Sequence, residues 1–290
     1  MCRFVVLSVL LGIFVSQTIA VYWDGLRVTF GPVPNDIAFA KMPRTANEAG
    51  TEGWQPISTT CTNSGQYAGY RYKLRNENSV NLLFDRNGII AGIQALLPHD
   101  EIMNPNNGYR FDLVPMFQNE TIDHRLYVVL TAYFVRPDTI CTTGRSIQDL
   151  IDEGTGNGLW FQNGATPNTL INVPRMRAAA SALGWTDCEC FPGMGLHNFY
   201  EVHRWHETNC DRVRPTQVTF NLDEEMTGFV FQIAGPSTST RFENPPNAAL
   251  YAIIGPDRIP QCIIDQNTEF GFSSIHVYFI DQPWTLGCTR

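Results

Sequence analysis

Charge is scarce in this chain and positive charge scarcer still. Charged residues make up 17% of its 290 residues, with 20 Lys and Arg against 28 Asp and Glu and a formal net charge of −8. A surface built to hold phosphate backbones needs the opposite balance, so nucleic acid is excluded as a partner. The 23 Gly and 18 Pro follow no period, which excludes a collagenous or low-complexity chain. With 43% hydrophobic and 12% aromatic residues the chain carries enough apolar surface to fold. Standard catalytic signatures are missing as well. Gly271-Phe-Ser-Ser-Ile275 lacks the closing glycine of a nucleophile elbow, His206-Glu207 is not followed by the second histidine of a zinc-protease helix, and no phosphate-binding loop or EF-hand spacing occurs. Cys188-x-Cys190 lacks the two-residue spacing of a thiol-exchange motif.

Only one long apolar run is present, Phe4 to Val15, following Arg3 and preceding Thr18-Ile19-Ala20. It is too short to span a bilayer, which takes ~20 residues. Residues 1–20 therefore read as a secretory signal peptide cleaved after Ala20, with no membrane anchor. Secretion puts the remaining cysteines, 61, 141, 188, 190, 210, 262 and 288, in an oxidising compartment where disulfides are the default. Seven is odd, so one thiol is either free or pairs with another chain as a disulfide-linked dimer. The one N-x-S/T triplet, Asn119-Glu120-Thr121, makes Asn119 a glycosylation candidate.

Internal repetition is the most informative signal. Pro43-Arg44, Ala49 and Gly53-Trp54 recur 131 residues later as Pro174-Arg175, Ala180 and Gly184-Trp185. Gly25-Leu26, Gly31 and Pro34-Asn35 recur at 133 as Gly158-Leu159, Gly164 and Pro167-Asn168. The run Leu130-Thr-Ala-Tyr-Phe134 matches Ile275-His-Val-Tyr-Phe279. We therefore expect a tandem duplication: repeat 1 over 21–141, a linker at 142–154, and repeat 2 over 155–290. The fold class is mainly β (α+β), each repeat being a short helix followed by an antiparallel sheet, stabilised by disulfides. The helices are placed at 44–53 and 175–184, each ending in glycine, with a linker helix at 145–153. Strands are expected at 70–74, 80–84, 89–97, 111–117 and 126–135, then at 199–202, 217–222, 227–233, 250–254 and 275–280. Asp85-Arg-Asn-Gly88 reads as a hairpin turn. Residues 98–110 and 235–247 read as surface loops, and the acidic and amide side chains of 100–112 would suit calcium as readily as plain solvent.

The repeat also constrains the cysteines. Repeat 1 holds only Cys61 and Cys141, which should pair; Cys288 then matches Cys141, and Cys190 is a better match to Cys61 than its neighbour Cys188. Cys210 with Cys262 completes the set, leaving Cys188 as the odd thiol, although two cysteines so close could exchange roles.

Four of the six histidines lie in repeat 2, and His276 aligns with Thr131 of repeat 1. A scaffold that does without histidine in one copy points to a function carried by the other. His197, His276 and Glu201 are the catalytic candidates, and His203, His206 and Trp205 the binding candidates. Trp54 and Trp185 occupy matching places and read as core, whereas Trp160, Phe161, Trp205 and Trp284 lack counterparts and are candidates for a pocket or an inter-repeat contact. The reading favoured is a secreted, disulfide-bonded protein of extracellular fluid or matrix that binds an unidentified ligand or partner or serves a structural role. The alternative is a secreted metal-dependent hydrolase or oxidoreductase using the repeat 2 histidines. Neither the cofactor nor the choice between enzyme and binding protein is decided by the sequence.

Overall fold

A computed structural model describes residues 21–103 and 106–289; the expected signal peptide lies outside the described residues. The strands are β1 (Arg27–Val28), β2 (Ala40–Lys41), β3 (Trp54–Pro56), β4 (Tyr70–Leu74), β5 (Val80–Phe84), β6 (Ile90–Pro98), β7 (Gln118–Ile122) and β8 (Arg125–Tyr133). They continue as β9 (Leu159–Gln162), β10 (Leu170–Val173), β11 (Trp185–Phe191), β12 (Gly195–Tyr200), β13 (Thr216–Phe220), β14 (Met226–Ala234) and β15 (Phe272–Tyr278). These form two antiparallel sheets. One runs β10-β9-β8-β6-β5-β4-β3 with β7 also on β8, and the other runs β11-β12-β13-β14-β15-β1-β2.

Each half of the chain contributes a hairpin, a short helix and then a meander, but the hairpins are exchanged. β1-β2 extends the sheet of the second half, and β9-β10 extends that of the first. The helix Ala46–Thr51 precedes β3 just as Arg177–Ala182 precedes β11, and Trp54 and Trp185 are the first residues of those strands. The registers agree in detail. Gly92 faces Tyr133 across β6-β8, and Gly228 faces Tyr278 across β14-β15. A register shift falls at Leu83/Phe84 in one meander and at Thr219/Phe220 in the other. Both glycines are required by close packing: a Cβ on Gly92 would lie 2.5 Å from the Ala132 carbonyl oxygen, and one on Gly228 2.5 Å from that of Val277.

The sheets share one apolar core in which alternate strand residues point inward. Phe134 and Phe161, on the side of the first sheet, meet Phe229, Phe231 and Phe279 on the side of the second, with centroids 5.2 to 6.5 Å apart. Trp23 stacks on Phe279 at 3.8 Å and donates its indole N–H to the Met226 carbonyl. The linker is fixed by Asp85, whose carboxylate accepts the amides of Asn87, Ile89 and Arg145. The Arg145 guanidinium, itself buried, donates to the carbonyls of Ile90, Gly154 and Thr155. The linker helix, Ile147–Glu153, begins with a capping box between Ser146 and Asp149.

Three bridges join Cys61 to Cys141, Cys190 to Cys288 and Cys210 to Cys262, and Cys188 is free and buried. Two expected strands take other forms. Residues 111–117 make a 3-10 turn, Phe111–Leu113, because Pro115 cannot donate to a ladder and Tyr109, Phe111 and Phe117 cluster edge to face instead. Residues 250–254 belong to a helix, Asn247–Ile254, that buries Leu250, Ile253 and Ile254 on one face. The segment read as a surface loop at 235–247 buries Phe242 and brings Glu243 against β15.

Replacing Cys61 and Cys141 together by alanine frees a segment of 80 residues in the unfolded chain. Urea denaturation should show a loss of about 4 kcal/mol, and a loss below about 1 kcal/mol would contradict the chain-entropy account of this bridge.

Candidate functional site

Both sheets bury polar groups on their outer faces, Arg71, Asn81, Gln94 and Thr131 on the first and Gln217, Thr219, His197 and His276 on the second. Since Phe229 and Phe231 point into the shared core, strand alternation turns Gly228, Val230 and Gln232 of β14 outward, with Ser274, His276 and Tyr278 of β15 beside them. Farther along the same face lie Thr219 and Gln217 of β13, and opposite them His197 and Phe199 of β12. The helices Asn247–Ile254 and Gln261–Phe270 and the segment around Phe30 cover this face.

His197 and His276 are brought together, their ring centroids 6.1 Å apart and their planes nearly perpendicular. Both are buried, His197 completely. The His276 Nδ1 lies 2.6 Å from Glu243 Oε2, which also accepts the Ser274 hydroxyl at 3.0 Å. The other carboxylate oxygen, Oε1, accepts the Phe30 amide. Main-chain bonds between Glu243 and Ser274 in both directions hold this carboxylate in place. With Nδ1 held against Glu243, the other ring nitrogen of His276, Nε2, has no partner. The His197 ring nitrogens make no hydrogen bond of good geometry, the Glu189 and Gly195 backbones being polar groups near the ring, and the buried Thr219 and Tyr278 hydroxyls are unpartnered. Burial, and then the neighbouring His276, push the His197 pKa down to about 3, against a smaller opposing influence from the backbone at Glu189 and Gly195. Burial likewise raises the Tyr278 phenol.

Beside His276 the covering helix and loops leave a cavity of about 240 Å³. Phe30, Phe191, Met194, Phe199, Leu250 and Ile253 give it apolar walls, while Gln217, Gln232, Ser274, Glu243 and His276 supply its polar groups. Gln217 donates its amide to Gln232, and this pair also borders a second cavity of about 30 Å³ next to Trp205 and Gln266.

The other residues singled out in the sequence lie elsewhere. Glu201 pairs with Arg204 at 2.9 Å. His203 and His206 are exposed, their Nδ1 atoms against the Thr186 and Thr208 hydroxyls. Trp205 packs edge-on against Phe199. Phe161 is core, Trp160 packs against the cluster around Tyr133, and Trp284 packs on Phe39. Asn119 is exposed on β7. Asp100 and Glu101 engage Arg125, and Asp112 engages Arg110. Among the described residues, no three His, Cys, Asp or Glu side chains form a group placed to hold a metal ion, and no helix is long and apolar enough to cross a membrane.

Glu243, Gln217 and Gln232 escaped the sequence reading. A lone carboxylate in the stretch Arg241-Phe-Glu-Asn-Pro-Pro246 was the available hint for the first. No family model, curated protein or solved structure matches this chain.

The depressed His197 pKa sets a direction for stability. The unfolded chain takes up a proton near the ordinary pKa of ~6.5 that native His197 refuses until about pH 3, so native stability falls as pH drops from 6.5. The stability advantage of the parent over a His197→Gln variant, measured by urea denaturation, should be roughly 2–3 kcal/mol smaller at pH 4.5 than at pH 7.5. An advantage independent of pH would show that His197 is not held neutral.

Proposed function

We propose that this protein is a secreted, disulfide-bonded, extracellular binding protein that takes a small apolar ligand carrying one polar group into the cavity beside His276. The observation carrying this reading is the cavity itself: apolar walls with a few convergent polar groups are what small-molecule sites share. A dry cavity of ~150 Å³ accepts benzene, so about 240 Å³ suits a molecule of one to two fused rings or a branched chain of similar size. The three bridges and the sequence of residues 1–20 support secretion, with cleavage after Ala20 and glycosylation at Asn119. The equivalent strand orders and paired register shifts support a tandem duplication in which the two copies exchange their first hairpins. Only the second copy builds this site.

The carboxylate-oriented imidazole favours a second reading. A ring whose Nδ1 is held by Glu243 is positioned as a general base, which would suit a hydrolase. Ser274, the adjacent hydroxyl, donates to the carboxylate and is not placed as a nucleophile against the ring, and for that reason binding is the first reading.

Thermal melts and calorimetric titration with 2-naphthol test it. One molecule should bind per chain and raise Tm, and Ala249→Trp, which puts an indole into the cavity, should weaken binding at least tenfold. Binding unaffected by Ala249→Trp, or no Tm shift at saturating 2-naphthol, would falsify the proposal.

A further inference from the structure

His197 and His276 stand out because their buried nitrogens lack partners, although buried polar groups are nearly always satisfied. In the first sheet, the place of His197 is taken by Arg71, two residues past Gly69 as His197 is two past Gly195, and these glycines approach Phe84 and Phe220 alike. Arg71 pairs there with Glu120 through its Nη1 at 2.7 Å, although its Nε is unpartnered, and Thr131, the counterpart of His276, accepts from Gln94. In the second sheet a carboxylate, Glu243, also meets this face, but of the two imidazoles it holds only that of His276, and three imidazole nitrogens have no hydrogen bond of good geometry.

A histidine whose one nitrogen is fixed by a carboxylate and whose other is free has the arrangement of a metal-ligating imidazole. A metal bonded at about 2.0–2.1 Å to a ring nitrogen sits roughly 3.1–3.2 Å from the ring centroid. Two rings sharing one ion then lie about 5.2 Å apart in a tetrahedral site and about 6.3 Å apart in a linear one. The observed separation of 6.1 Å falls close to the linear limit. Linear coordination by two neutral donors belongs to monovalent d10 ions. Charge leads to the same class: one partly buried carboxylate, that of Glu243, balances one positive charge, whereas a divalent ion would leave a net charge in a largely desolvated site.

We propose that His197 and His276 bind a single Cu(I) ion, through His276 Nε2 and a ring nitrogen of His197, with Glu243 fixing the His276 ring and neutralising the charge. The site is independent of the small-molecule reading, although the cavity gives the ion a route to His276. Imidazole is a suitable ligand for copper, and the Met194 thioether in the cavity wall adds a soft group nearby.

The test titrates the whole secreted chain anaerobically with Cu(I) in competition with a chromogenic Cu(I) chelator, and in parallel with Ag(I) and Zn(II). The Cys188→Ser background removes the free thiol. One Cu(I) or Ag(I) per chain should bind, His197→Gln and His276→Gln should each weaken binding at least tenfold, and the His203→Gln/His206→Gln double variant should bind as the parent does. Should His197→Gln not fold, ring 15N spectra of the Cys188→Ser protein provide the readout. Ag(I) should then shift two histidine rings, and both shifts should persist when His99, His124, His203 and His206 are all replaced by Gln. Loss of binding in Cys188→Ser or in that double variant, or one-to-one uptake of Zn(II) in preference to Cu(I), would overturn the proposal.

Discussion

The partly buried carboxylate of Glu243 organises the outer face of the second sheet. It receives the His276 imidazole, the Ser274 hydroxyl and the Phe30 amide, and so ties two covering segments to β15 at one point. Those segments form part of the cavity wall, and the chain that follows Glu243 leads through Pro245-Pro246 into the helix that supplies Leu250 and Ile253. A charge with so little solvent persists only because its hydrogen bonds replace water. Removing the carboxylate would therefore disturb the orientation of His276 and the shape of the cavity together.

The two sheets show how one scaffold can hold different polar contents. On the first, Arg71 reaches Glu120, the Tyr133 hydroxyl donates to Gln162, and Gln94 meets Thr131. On the second, Tyr278 sits across from a glycine just as Tyr133 does, yet its hydroxyl and the neighbouring imidazole nitrogens are unpartnered. Strand order and register shifts agree between the sheets, apart from β7, which pairs with β8 on the first only. Polar groups left unsatisfied in the interior cost stability, and both sheets carry some: Arg71 Nε and the Asn81 amide on the first, the His197 and His276 nitrogens and the Thr219 and Tyr278 hydroxyls on the second.

Much of the frame was legible because it depends on local pattern. Tyr70–Leu74 and Val80–Phe84 are bounded by turn residues and fall where alternation put them. The cysteine pairs followed from comparing the halves, and the one-sided histidines pointed to the pair that meets on β12 and β15. Leu250–Ile254 could not be read the same way, because a short apolar run with two isoleucines fits strand and helix equally until flanking Pro246 and Gly255 are weighed. Glu243 was invisible for a different reason. Its partner lies 33 residues on, across a helix-turn-helix excursion, and no period in sequence marks a contact made by a loop. The exchange of hairpins was hidden too, since β1-β2 carries no local sign of which sheet it joins.

The most direct test of the account is a crystal structure of the chain soaked with 2-naphthol. The account predicts ring density in the cavity between Val230, Leu250 and His276, with the hydroxyl toward the polar groups of the sheet. Density for 2-naphthol only at other surfaces, or a cavity filled by its own side chains at saturating 2-naphthol, would contradict it.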